Sequence, residues 1–251
     1  MNQSSENYTP GYTSNAVDFM SRRTAESHAA FFLPQLKAGM RLLDCGCGPG
    51  GITVGLAERV SPGEVIGIDL GGAQLERARE RACAAPVRAT FREASVYSLP
   101  FADAEFDAVF SHALFEHLAD APKALGEIRR VLKPGGCVGL RSPDWGGFVL
   151  HPWSEKLANA LSDYQAMQRA NGGDVSAGRK LAGWLRQAQF ARVQASAAYE
   201  IYPSAAVIAD YLAQQLDSNG RDESAAVLRN WAKEPDAMFA QAWFEAIGYK
   251  S

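Results

Sequence analysis

Two groups of residues in this chain of 251 could do chemistry. One is Ser111-His-Ala-Leu-Phe-Glu-His-Leu118, which brings His112, Glu116 and His117 close together in sequence. These side chains take or give a proton near neutral pH once burial or a neighbour shifts them. Positions 112 and 116 are four apart and would share one face of a helix. The other is Arg41-Leu-Leu-Asp-Cys-Gly-Cys-Gly-Pro-Gly-Gly51. It reads as a short buried strand, an acid, and a glycine-dense turn that opens a helix. Gly46, Gly48 and Gly50 let backbone pass close to a ligand where a Cβ would collide. The following helix directs unpaired N–H groups at the same place. Asp44, two residues before the first glycine, favours a ligand with positive charge.

Two ligands fit that turn. Gly46, Gly48 and Gly51 also satisfy G-x-G-x-x-G, with Asp69 near the distance expected for a ribose contact, so a dinucleotide is one reading. Its pyrophosphate would sit against Asp44 and be repelled. S-adenosylmethionine (SAM) has no phosphate, and its ammonium and sulfonium both gain from a nearby carboxylate. A plain turn without ligand is the third reading.

The elements around these residues alternate. The spacing of Ala25, Ala29, Phe32 and Leu33 predicts a helix over residues 21–36, ended by Pro34 and Gly39. Strands are expected at 41–45, 64–70, 87–93, 106–111 and 137–142. Helices are expected at about 51–59, 73–84 and 121–132, the last stopped by Lys133-Pro-Gly-Gly136. Strands separated by helices imply a parallel sheet with right-handed crossovers. Beyond it, helical patterns cover 153–169, a segment after Asp174, 204–217 and 222–233. A sixth strand is expected at 191–202 and a seventh, at the sheet edge, in the last part of 240–249. Residues 1–20 read as a polar, flexible start.

Composition bounds the partners. A formal charge of −3 offers no broad attraction for nucleic acid or anionic lipid. No apolar run reaches the roughly 18–20 residues of a membrane span, and the first ten residues lack a signal peptide's apolar stretch. These features fit a cytoplasmic protein. Cys45, Cys47, Cys83 and Cys137 include no second close pair that would complete a zinc site, and read as reduced, buried thiols.

Four segments then carry a resemblance: Leu42–Gly50, Gly67-Ile-Asp-Leu70, Leu99-Pro-Phe with Phe106-Asp107, and Leu132-Lys-Pro-Gly-Gly136. In order and at this spacing, the chain resembles the class I SAM-dependent methyltransferases of the UbiE/COQ5-like, small-molecule group. The resemblance covers roughly residues 21–145. It implies an α/β, Rossmann-like, mostly parallel seven-stranded sheet, with the N-terminal helix and extra C-terminal helices as a lid. The expected divisions are a lid segment at 1–36, a SAM-binding core at 37–145, and cap helices with the last two strands at 146–251, within one domain.

The resemblance also implies roles. Gly46, Gly48 and Gly50 lie against the methionine part of SAM, with Asp44 near its ammonium and Arg23 reaching its carboxylate. Asp69 takes both ribose hydroxyls, Gln74 touches the ribose and Leu70 lies on adenine. Ser95 stands where many relatives have an acid reading the adenine amino group, and the Val96 N–H meets a ring nitrogen. Ser111 lines the methionine side. Methyl transfer is an in-line displacement that needs alignment and exclusion of water, and no metal. A base helps if the acceptor is a phenol, amine or acidic carbon, which makes Glu116, His112 and His117 the catalytic candidates. Phe115-Glu-His-Leu118 is similar to the Phe-Glu-His-Phe of cyclopropane synthases. The plainer alternative has His117 bonding backbone and Glu116 fixing a helix. His28, Asp144 and Trp145 border the expected acceptor pocket, and His151 is a weaker lead.

The expected acceptor is a small, aromatic or lipophilic metabolite, of secondary metabolism or quinone-like, taking the methyl on O, N or C. A monomer or homodimer is equally compatible. A NAD-dependent oxidoreductase and a non-catalytic SAM-binding partner protein remain as alternatives at this stage.

Overall fold

A computed structural model describes residues 20–251; the expected flexible start over residues 1–19 lies outside them. Seven strands form one sheet in the order β3-β2-β1-β4-β5-β7-β6: β1 Arg41–Cys45, β2 Glu64–Asp69, β3 Ala89–Glu93, β4 Phe106–His112, β5 Leu132–His151, β6 Ala191–Ile201 and β7 Met238–Tyr249. The first five pair in parallel, and β7 runs antiparallel to both β5 and β6. The helices are α1 Ala25–His28, α2 Gly51–Val60, α3 Gly72–Cys83, α4 Ala121–Val131, α5 Glu155–Ala170, α6 Ala177–Gln187, α7 Ala205–Asp217 and α8 Asp222–Trp231.

Three apolar clusters hold this together. Leu125 and Ile128 of α4 and Leu181 and Leu185 of α6 pack with β4 and β5 residues such as Val109, Val138 and Leu140. Ala25 of α1, Phe32, and Ile52 and Leu56 of α2 pack with Leu42, Val65 and Phe110. The third cluster is separate: Leu157, Leu161 and Tyr164 of α5 meet Ile208 and Leu212 of α7, Leu228 of α8, Trp145 and Phe239. The extra helices therefore have a core of their own, seated on the far ends of β5 and β7.

Strand order reverses between β1 and β4, where helices leave the sheet on opposite sides and a crevice opens at the carboxyl ends. The motif residues fasten the opposite end of the sheet, where the strands begin. Asp107 accepts from the Arg41 N–H (2.8 Å) and from Lys133 Nζ (2.7 Å). The Leu99 N–H bonds Glu127 Oε2 at 2.8 Å, while Arg130 donates to the carbonyls of Leu99 and Phe101. These contacts fasten the loop after β3 to α4.

Four expectations are corrected. The single helix over 21–36 is broken: α1 ends at His28, and a short 3-10 turn covers Leu33–Gln35. Fully buried Phe32 stacks on Phe110 and fills the space beside Gly139, and that burial turns the chain. Strand β5 continues past Ser142 to His151 because antiparallel pairing with β7 resumes after a bulge between Asp144 and Val149. The seventh strand is interior and the sixth is the edge. Cys83 is exposed; the other three cysteines are buried, and all four are free thiols.

Gly50 serves packing. It caps α2 at φ +77°, and a Cβ there would stand 2.8 Å from the Cβ of Ala78 on α3. Left-handed strain and overpacking together predict that Gly50→Ala destabilises the fold by about 3 kcal/mol. Denaturant unfolding measures this as a lowered midpoint.

Candidate active site

The crevice is a cleft of about 1210 Å³, lined by the glycine turn, the ends of β1, β2 and β4, the loop after β3, and Met20 and Arg23. The turn donates inward: the Gly48 N–H bonds Asp69 Oδ2 at 2.9 Å, and the Gly71 N–H bonds Asp69 Oδ1 at 2.9 Å. Asp69 is thus fixed at the end of β2 with lone pairs to spare on both oxygens. Burial raises its pKa, against the lowering effect of these N–H groups. Asp44 is buried and accepts from Thr53 Oγ1 at 2.6 Å. Burial pushes its pKa up to about 7, with Asp69 adding to the rise. That carboxylate gains most from a cationic ligand.

The cleft holds further fit. A Cβ on Gly48 would meet nothing within 4 Å, so the space beside that backbone is open. Leu70 lies 64% exposed in the cleft wall, a flat apolar surface awaiting a partner. Gln74 lines the wall and is buried, yet its Oε1 has no hydrogen-bond partner among the described residues. Ser95 and Val96 line the same wall, Ser95 Oγ accepting from the Tyr97 N–H. Cation-seeking carboxylate, ribose-ready acid and exposed leucine suit SAM.

A second cavity, about 410 Å³, lies beyond it. Arg23 and His117 line both spaces, so the two meet there. Glu116, Trp145, Tyr164, Gln168, Tyr202, Tyr211, Gln241 and Trp243 line the second. Glu116 is buried, accepts from Ser142 Oγ at 2.9 Å, and has Oε1 3.8 Å from His117 Nε2. Burial pushes Glu116 up to about 7 and His117 down to about 3. At neutral pH, then, His117 carries no proton on its second nitrogen, while Glu116 is poised to take or release one.

Several expected site residues sit elsewhere. Glycine 50 faces Ala78 and is not in the cleft wall. Ser111 Oγ is turned onto the Cys45 carbonyl (3.0 Å), and its successors His112, Ala113 and Leu114 line the cleft instead. His112 and Glu116 share no helix face: Ala113 (φ +54°) turns the chain, and Phe115–His117 is a 3-10 turn. His112 therefore faces the first space and Glu116 the second. His112 stacks on Trp243, and burial pushes its pKa well down. His28 lies behind it, Nε2 3.5 Å from Glu200 Oε1, outside both walls. Asp144 is engaged by Arg179 and the Gly146 N–H and lines neither space, whereas Trp145 lines the second. Tyr164, Tyr202, Tyr211, Gln168, Gln241 and Trp243 are not among the site residues expected from the sequence, where most of the aromatic residues read as core. The signal was available: Gln168 continues the buried stripe of Leu157, Leu161 and Tyr164, and Gln241 lies between Phe239 and Trp243 on one strand face.

Comparison with known proteins decides the family. The methyltransferase domain model matches residues 43–140. An uncharacterised methyltransferase of Schizosaccharomyces pombe is 36% identical over 190 residues, 73% of this chain and 68% of that protein. The chain belongs to the class I SAM-dependent methyltransferases. A demethylmenaquinone methyltransferase of Thermus thermophilus is 44% identical over 100 residues, covering 40% of this chain and 46% of its own length. A phosphoethanolamine N-methyltransferase of Haemonchus contortus, solved with S-adenosylhomocysteine, superposes with TM-score 0.64 at 20% identity, covering 95% of this chain and 58% of that one. The methyltransferase's cofactor is SAM, and the dinucleotide alternative falls with the family match. No helix among its described residues is long and apolar enough to cross a membrane.

Proposed function

We infer that the enzyme methylates a small aromatic metabolite in the second cavity, with Glu116 accepting the proton that the acceptor loses. The observation that carries this is the meeting of the two spaces at Arg23 and His117. Among the described residues, the cofactor cleft and the aromatic-walled chamber share these two lining side chains, so an acceptor beside them faces the cleft. When bound, SAM supplies an activated methyl group for in-line displacement.

The chain's own residues supply the rest. Asp44, Asp69, Gly46, Gly48, Leu70, Gln74, Ser95 and Val96 hold the cofactor, and Arg23 reaches its carboxylate. Trp145, Tyr164 and Tyr211 give the acceptor apolar walls and keep water out. Glu116 takes the acceptor's proton, and the Ser142 hydroxyl, donating to Oε2 at 2.9 Å, holds the carboxylate in place to receive it. Neutral His117 helps orient Glu116. Helices α5, α7 and α8, with the segment around α1, act as the lid. The name of the Thermus relative favours a quinone-like or phenolic acceptor over an amine.

The test is direct. Incubation with SAM and a panel of phenols, hydroxyquinones and arylamines should release S-adenosylhomocysteine with the first two classes. Release with none of them, despite tight SAM binding, would favour a non-catalytic SAM-binding protein instead.

A further inference from the structure

Three side chains that line the second cavity each carry a buried polar atom with no hydrogen-bond partner among the described residues: Gln168 Oε1, Gln241 Oε1 and Trp243 Nε1. All three side chains are nine-tenths or more buried. The amide orientations are fixed by what their nitrogens do. Gln168 Nε2 donates to the Glu116 carbonyl at 3.1 Å. Gln241 Nε2 donates to the carbonyls of Asp144 (2.9 Å) and Ala242 (3.1 Å). Flipping either amide would set an oxygen against a carbonyl oxygen, so the unpartnered atoms are acceptors. Trp243 Nε1 can only donate. An unpaired buried polar atom is costly, and three of them on side chains that line one cavity ask for a partner that enters it.

We propose that the second cavity selects an aromatic acceptor bearing at least two hydrogen-bond donors and one acceptor oxygen, such as a polyhydroxylated aryl ketone. Hydroxyl groups bond Gln168 Oε1 and Gln241 Oε1, and an oxygen of the ligand accepts the Trp243 N–H. The hydroxyl to be methylated is held beside Glu116. The assignment of hydrogen-bonding groups rests on the small-acceptor reading and sharpens it: a purely lipophilic ligand would leave all three atoms unpaired. The aromatic side chains in the wall account for the body of the ligand. A site built to bond hydroxyl groups also rejects analogues lacking them far more strongly than an apolar pocket rejects a misfit.

Calorimetry tests this without turnover. The full chain, saturated with S-adenosylhomocysteine, is titrated with 3,5-dihydroxyacetophenone and with acetophenone, which has the same ketone and no hydroxyl. The dihydroxy probe should bind about thirtyfold more tightly. Gln241→Met and, separately, Gln168→Met should each cut that preference at least fivefold, with S-adenosylhomocysteine affinity unchanged as the measure of intact folding. Equal binding of the two probes by the wild-type chain overturns the proposal, a comparison that needs no variant. So does no binding of either probe to the loaded chain, or an undiminished preference in both variants. Methyl-acceptor turnover is scored separately, so a chain that methylates phenols yet shows no hydroxyl preference sinks this inference alone.

Discussion

Glu116→Gln should lower kcat about a hundredfold or more on a phenolic acceptor while leaving SAM affinity within twofold. A positioned base contributes roughly 10²–10⁴ to rate, and glutamine keeps the shape and the bond from Ser142 without the basicity. The pH profile gives a sharper reading. With burial holding Glu116 near 7, wild-type kcat should rise with pH and level off above about 7, and the variant's should stay flat through that range. The same shift acts on stability with a definite sign. The folded pKa lies above the unfolded value, so native Glu116 binds a proton that the unfolded chain has released. Its stabilising contribution is complete below about 4.5 and is lost as pH rises through about 7. Wild-type Tm should therefore fall more than the variant's between pH 5 and pH 8. A variant with unchanged kcat and an unchanged pH profile would remove Glu116 from the chemistry.

Asp44→Asn should weaken SAM binding about thirtyfold at pH 8, the scale expected when a charge-assisted contact becomes neutral. Burial holds the empty-site carboxyl near 7, and a cationic ligand favours its ionised form. Wild-type affinity should consequently drop as pH falls below 7, approaching tenfold per unit where the group is mostly protonated. The asparagine variant has no such proton to lose and should bind SAM with little pH dependence. Calorimetry at pH 5.5, 6.5 and 8 resolves both effects. An asparagine variant binding within twofold of wild type at pH 8 would place the ammonium elsewhere.

Legibility in the sequence followed range. Strand β1 and the positive-φ glycines after it could be read because a short strand built on Leu42 and Leu43, an acid and a glycine turn are determined locally. The same holds for Asp69 and Leu70, at the end of the next strand. What escaped depends on distant partners. Phe32 breaks the first helix because of a pocket built by Phe110 and Gly139. The length of β5 is set by β7, about a hundred residues later in the chain. One positive-φ alanine separates His112 from Glu116, and no helical spacing rule anticipates it. Gln168 and Gln241 carry no motif of their own, although a lone amide on a buried face needs its own explanation.

The placement of β7 between β5 and β6 has a consequence for assembly. Among the described residues, edge strand β6 pairs with β7 alone, which emerges from the ribosome only after it. The cofactor cleft is framed by strands made earlier, whereas Gln241 and Trp243 arrive on the late strand. During synthesis, the half that receives the methyl donor can take shape while the half that receives the acceptor is still without its back wall.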